Sequence, residues 1–238
     1  MTETQLTKNG RLYSFGFSGN LDNDHLEALL THLPWRKAPT ASISGGRAPV
    51  ATAVIKGLGP VVIKQYMRGG IIRYFLRNRY VKFGKPRSQV EFESMSELRK
   101  IGISAPEPLA YAYRGFPLYC AWLITRQVKD AYTLAELNCG DISRIAVVMG
   151  KVIQQIDKLV AYGFIHVDMH PGNVLVDSDD NIYIIDFDKG RRSSIQKDRL
   201  YGVYYRRWQR AIVKHQLPKI LDDLLLEGLN KLTEIPSP

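Results

Sequence analysis

The sequence predicts an α+β protein in two parts, β-rich over residues 1–127 and mainly helical over residues 128–238. Three observations carry that reading. Short apolar runs punctuated by Gly and Pro recur before residue 126, as strands do. One long apolar stripe at helical spacing fills Asp141 to Tyr162. After it, His166 to Asp188 reads H-V-D-M-H-P-G-N-V-L-V-D-S-D-D-N-I-Y-I-I-D-F-D, a polar loop followed by a hairpin pattern.

In chain order, Leu12 to Phe17 predicts a short strand. Asp22 to Leu33 has helical spacing, with Asp22 as N-cap and Pro34 beyond its end. Ser44-Gly45-Gly46-Arg47 reads as a turn, followed by strands through Val54-Ile55 and Val61-Val62-Ile63-Lys64. Such a turn suits backbone N–H groups laid against phosphates, and equally a plain hairpin. Gln89 to Ile101 predicts a helix in which Glu91, Met95 and Leu98 share a face. A carboxylate in line with core residues is costly to bury unless paired, so Glu91 needs a cation, and Lys64 is the candidate. Glu93 and Glu97 fall on other, solvated faces. Tyr119 to Thr125 is an apolar strand. In the helix Asp141–Tyr162, the stripe Ile142, Ile145, Ala146, Met149, Ile153, Ile156 and Val160 is expected to face the core. Arg199–Arg210 and Leu217–Leu232 predict two final helices, with a loose tail from Glu234.

The charge is unevenly placed. Of 33 Lys and Arg, twelve lie between Ala28 and Val90, where Asp and Glu are absent; the remainder of the chain holds 21 basic against 23 acidic residues. They include Arg36, Lys37, Arg68, Arg73, Arg77, Arg79 and Lys82, interleaved near the end with Tyr74, Phe75, Tyr80 and Phe83. Such a field favours a polyanionic partner. No run of eighteen uncharged apolar residues predicts a transmembrane helix. Met1 to Gly10 lacks the apolar region of a signal peptide, and Cys120 and Cys139 have neither metal-type spacing nor a disulfide framework. A cytoplasmic location is expected.

The loop carries the chemistry. Asp168 and Asn173 lie five apart across Pro171-Gly172. The strands Val174–Val176 and Ile182–Ile185, joined by Asp177–Asn181, would return Asp186 close to Asn173. Asn and Asp oxygens suit Mg²⁺ beside substrate phosphates. Asp168 is then left to accept a proton from a hydroxyl. His166 is expected to pack beneath the loop; His170 is the more exposed of the two.

The pattern H-V-D-x-x-x-x-N followed by D-F-D resembles the catalytic loop and metal-binding segment of the protein-kinase-like fold, with Asp188 where a glycine is usual. With V-V-I-K ending at Lys64, R-G-G at Arg68–Gly70 and the run G-I-S-A-P-E-P, the chain resembles the lipopolysaccharide core kinases. The likeness extends from about Ser44 to Trp208 and is strongest to the kinases of 3-deoxy-manno-octulosonic acid (Kdo) on lipid A. It implies two lobes: a β-rich N-lobe bearing the basic segment, and a shortened helical C-lobe. It implies ATP and Mg²⁺, with Asp168 catalytic and Lys64 held by Glu91 on the α- and β-phosphates. Gly45, Gly46 and Arg47 would lie over the nucleotide, with Asn173 and Asp186 on the metal. The implied acceptor is a lipid A-linked inner-core glycolipid, met peripherally at an anionic membrane surface on the cytoplasmic face of the inner membrane; no nucleic acid is expected. Fifty-two residues follow Asp186 and no A-P-E appears, leaving no room for a peptide-docking region, so a protein acceptor is not expected. Three rivals stand beside this: a small-molecule kinase of the aminoglycoside or choline type, a compact atypical protein kinase, and a degenerate kinase fold that binds nucleic acid or membrane. The first leaves the R-G-G and basic segment unexplained. The last leaves the joint presence of Lys64, Glu91, Asp168, Asn173 and Asp186 unexplained.

Overall fold

The structure is a computed structural model that describes residues 2–19, 21–33, 50–66, 80–81, 84–137 and 140–234. The chain divides into two compact units, Met1–Ser96 with Glu107–Gln127, and Glu97–Pro106 with Val128–Pro238.

The first unit is built on one antiparallel sheet. Strands β1 (Thr2–Lys8) and β2 (Arg11–Phe17) form a hairpin in register from Thr2↔Phe17 to Lys8↔Arg11. Its two-residue turn is Asn9-Gly10, both at positive φ (50° and 69°), the pairing that matches the right-handed twist of the strands. Helix α1 (Asn23–His32) begins at Asp22, whose carboxylate accepts the His25 N–H at 2.9 Å while the His25 ring accepts the Asp22 N–H. Strands β3 (Val50–Ile55), β4 (Gly59–Gln65) and β5 (Tyr80–Val81) follow, then α2 (Arg87–Lys100), β6 (Pro108–Arg114) and β7 (Leu118–Arg126). The order is β1-β2-β6-β7-β4-β3, with β5 also on β7. Phe15, Leu26, Leu29, Ile63, Trp122 and Ile124 are buried together in one core between this sheet and α1. Gly16 is fixed by packing: a Cβ there would lie 2.2 Å from the Tyr111 ring.

The second unit is mainly helical. Strand β8 (Tyr132–Thr133) leads to α3 (Ile142–Ala161), capped by Asp141. Then come β9 (Phe164–Ile165), β10 (Val174–Val176), β11 (Ile182–Ile184), β12 (Arg191–Arg192), α4 (Lys197–His215) and α5 (Ile220–Glu234). Residues 97–106 belong here by their bonding. The Ser104 N–H donates to the Gln155 side chain at 2.7 Å, and the Ser104 carbonyl accepts the Ile184 N–H at 2.8 Å.

The expected α+β, kinase-like fold class is the observed one. One expectation is corrected. The buried face of α3 is Ile145, Val148, Met149, Val152, Gln155, Ile156, Leu159 and Val160; Ile142 is 63% exposed and Ala146 is also exposed. The face is turned because helices pack on α3 from more than one side. Ile153 is only half-buried, yet it packs so tightly on α5 that a Cβ at Gly228 would lie 2.2 Å from it.

Candidate active site

In the first unit, Lys64 and Glu91 meet. Lys64 lies at the end of β4, and its Nζ donates to both oxygens of Glu91 at 3.0 Å. Glu91 shares the buried face of α2 with Met95 and Leu98, and its side chain is 1% exposed. The Tyr66 hydroxyl also donates to Glu91. Three hydrogen bonds from two donor groups offset the cost of burying this carboxylate. Lys64 is 20% exposed at its side chain, so its ammonium is held at the edge of the unit rather than sealed within it.

In the second unit, the polar loop is assembled from below. Helix α3 carries the hairpin through Arg144, whose Nε donates to Asp180 at 2.8 Å, and Lys151, whose Nζ donates to the Asp180 carbonyl at 2.7 Å. Strands β10 and β11 pair Val174 with Ile184, and the Ile185 N–H donates to the Asn173 carbonyl at 3.0 Å. The hairpin therefore returns Asp186 next to Asn173. Asp186 holds φ at +64°, a left-handed conformation uncommon outside glycine and typical of functional turns.

His166 ties these pieces together. Its ring is fully buried, stacked edge-on against Phe187 at 4.9 Å between centroids. Nδ1 accepts the Asp168 N–H at 3.3 Å, which puts the proton on Nε2, and Nε2 donates to the Ile185 carbonyl at 3.1 Å. One neutral imidazole thus spans the loop and the residue before Asp186. Burial pushes its pKa down to about 4.

Asp168 stands out from this scaffold, with a side chain 64% exposed. The Asn173 side-chain amide donates to the Asp168 carbonyl at 2.8 Å, which fixes the amide orientation and turns its oxygen the other way. His170 Nδ1 accepts the Gly172 N–H at 3.0 Å, leaving Nε2 to face the Asp168 carboxylate at 3.6 Å. That contact is long for a hydrogen bond, but the His170 ring beside Asp168 holds its carboxyl below the usual carboxylate range, against the opposing effect of burial. Asp168 is an ionised, accessible acceptor at neutral pH.

A family profile, that of the lipopolysaccharide kinase (Kdo/WaaP) family, matches residues 44–219. The chain belongs to this family. Curated relatives named 3-deoxy-D-manno-octulosonic acid kinase include one from Xylella fastidiosa (strain M23), 31% identical over 159 residues, covering 66% of this chain and 63% of the relative. Another, from Vibrio vulnificus (strain CMCP6), is 32% identical over 130 residues, covering 53% and 55%. A third, from Xanthomonas axonopodis pv. citri (strain 306), is 33% identical over 150 residues, covering 62% and 59%. The chain spans less than two thirds of the length of these relatives.

Among the described residues, no group of three or more His, Cys, Asp or Glu is placed to hold a metal. Asn173 and Asp186 lie on adjoining backbone, and both carry side-chain oxygens of the kind Mg²⁺ takes when one or two protein ligands are joined by waters and phosphates to complete six. Gly45, Gly46 and Arg47 lie outside the described residues, as do Cys139, Tyr74, Phe75, Phe83 and, of the basic segment, Arg36, Lys37, Arg68 with its two glycines, Arg73, Arg77, Arg79 and Lys82. No described helix is long and apolar enough to cross a membrane.

Sequence reasoning missed Tyr66 and the contact of His170 with Asp168. For Tyr66 a signal existed: on extended chain it points to the same side as Lys64, two residues before it.

Proposed function

We propose that this protein is an ATP-dependent kinase of a sugar hydroxyl on the lipopolysaccharide inner core, with Kdo linked to lipid A as acceptor. The observation that carries the reading is Asp168, an exposed carboxylate kept ionised beside His170 on a rigid loop, in a chain of this family. Asp168 would accept a hydrogen bond from the acceptor hydroxyl and orient it. It would take the proton as the oxygen–phosphorus bond forms and the hydroxyl becomes strongly acidic. Lys64, anchored by Glu91 and Tyr66, would hold the α- and β-phosphates, and Gly45, Gly46 and Arg47 would cover the nucleotide. Asn173 and Asp186 would locate Mg²⁺, which when bound supplies charge neutralisation on the phosphates. Most of the rate would come from positioning and electrostatics. The basic segment between Ala28 and Val90 would draw the protein to the anionic cytoplasmic face of the inner membrane, as a peripheral protein.

The test is incubation with labelled ATP and three acceptors: Kdo-lipid A, a protein mixture and small alcohols such as choline and an aminoglycoside. Label is expected in the glycolipid. Label confined to proteins or to the small alcohols would replace this reading with an atypical protein kinase or a small-molecule kinase. No transfer to any acceptor, with no thermal stabilisation by Mg-ATP, would favour a binding module.

A further inference from the structure

An acceptor that is a sugar acid brings a negative charge up to Asp168, itself negative, and something must offset that repulsion. Within the second unit, α4 runs beside the catalytic loop. The Tyr204 hydroxyl donates to the Phe164 carbonyl at 2.8 Å and accepts the His166 N–H at 3.0 Å. Three residues on, Arg207 Nη1 donates to the His166 carbonyl at 2.8 Å. Arg210 lies a further three residues along, on the neighbouring stretch of the same helix face. Arg191 in β12 pairs with Ile165, the residue before His166. The charges of Arg191 and Arg210 both act on Arg207, and so does the carboxylate of Asp168.

Three arginines are therefore placed around the base of the loop: Arg207 by its hydrogen bond to His166, Arg210 by its register on the same helix, and Arg191 by its pairing with Ile165. Arg191 and Arg210 are exposed, and Arg207 is partly buried. Among the described residues, no carboxylate lies within ion-pair distance of any of the three. A solvated basic face would account for Arg191 and Arg210. It does not account for Arg207, whose guanidinium is partly stripped of water, pinned to the backbone of the catalytic loop and set among like charges. Burial first, then Arg191 and Arg210, disfavour its charge. An anion placed among the three relieves all of this at once, and the guanidinium fork matches a carboxylate with two parallel hydrogen bonds.

We propose that Arg191, Arg207 and Arg210 form an anion subsite that takes the carboxylate of the acceptor sugar acid and turns its hydroxyl toward Asp168. The inference rests on the proposed acceptor class and adds the group that recognises it. A phosphate on the lipid part offers similar chemistry, so the test separates the two.

The test compares wild type with R191Q/R210Q, which changes two exposed side chains, and with R207K, which keeps the charge and removes the fork. The acceptors are Kdo-lipid A, its Kdo methyl ester, and Kdo on a lipid lacking phosphates. For both variants the acceptor KM is expected to rise about tenfold or more, with the ATP KM and melting temperature unchanged. The deficit should persist on the phosphate-free lipid and vanish on the methyl ester, where wild type is itself impaired. An equal deficit on the ester, a deficit seen only with lipid phosphates, or an unchanged KM would each overturn the subsite. Calorimetric titration with free 3-deoxy-D-manno-octulosonic acid, without ATP, keeps this separate from the proposed reaction. Binding lost in R191Q/R210Q, with no transfer by wild type, would sink the kinase reading and keep the subsite. Transfer by wild type with unaltered KM in both variants would do the reverse, and neither binding nor transfer by wild type would end both.

Discussion

Two carboxylates, one in each unit, have opposite surroundings. Glu91 is 1% exposed at its side chain and receives three donated hydrogen bonds, two from Lys64 and one from Tyr66. Asp168 is 64% exposed, and the His170 ring nitrogen beside its carboxylate stands 3.6 Å away. A carboxylate whose oxygens are already engaged has little capacity for a substrate proton; it serves to hold a lysine in place. A carboxylate that is ionised, accessible and supported from its backbone side can meet a substrate. The sequence motif presents both as acidic residues; only their environments separate strut from acceptor.

The sharpest way to break this contrast is Asp168→Asn. The amide keeps the size and can still face His170, but it cannot take a proton. Turnover is expected to fall by roughly a thousandfold or more, with ATP affinity within about twofold of wild type. Retained turnover would show that the exposed carboxylate is not the acceptor. Glu91→Ala should act the other way. It takes the carboxylate away from the Lys64 ammonium, so chemical denaturation should show a loss of about 3 kcal/mol, and ATP KM should rise as well. A stable variant with unchanged ATP KM would remove Glu91 from its supporting role.

The scaffold beneath Asp168 can be read through pH. His166 has its pKa pushed down to about 4 from an ordinary value near 6.5. The folded state therefore resists protonation that the unfolded chain accepts. The contribution of neutral His166 is complete above pH 6.5 and is lost as pH falls from 6.5 toward 4, by roughly 3 kcal/mol in all. Denaturation at pH 7 and pH 5 should show this slope in wild type and a flatter one in His166→Gln. Equal slopes would mean that the ring titrates elsewhere. The smallest effect belongs to Tyr66→Phe, which removes one of three hydrogen bonds donated to Glu91 and should cost about 1 kcal/mol in thermal or chemical unfolding. No measurable change would show that Lys64 alone satisfies Glu91.

Much of this was legible in the residues, for identifiable reasons. Asp22 was readable as a cap because a short acceptor side chain before a periodic apolar run has few other uses. Glu91 was readable because burial at i, i+4 and i+7 is a geometric consequence of helix period. The hairpin returning Asp186 to Asn173 was readable from two short β-branched runs around an Asp-rich turn. Other features were hidden. Strand β1, T-E-T-Q-L-T-K, has no buried side chain and, among the described residues, pairs with β2 alone, so it lacks the apolar alternation of a half-buried strand; its Asn9-Gly10 turn was the available sign. Strand β6 begins at Pro108, and the prolines there read as the end of α2 rather than the start of a strand. The face of α3 was misjudged because periodicity gives the period of a stripe but not how many neighbours share it. Arg207 and His170 could not be assigned from sequence, since their partners, the His166 carbonyl and the Gly172 N–H, are backbone atoms with no residue signature.

Under the proposed function, an acid sugar of the lipopolysaccharide inner core receives the phosphoryl group. Tandem mass spectrometry of Kdo-lipid A incubated with the protein and Mg-ATP tests it most directly. The account predicts one added phosphate on the Kdo fragment with wild type and none with Asp168→Asn. Glycolipid unchanged by wild type, or phosphate added on the lipid A fragment instead, would contradict it.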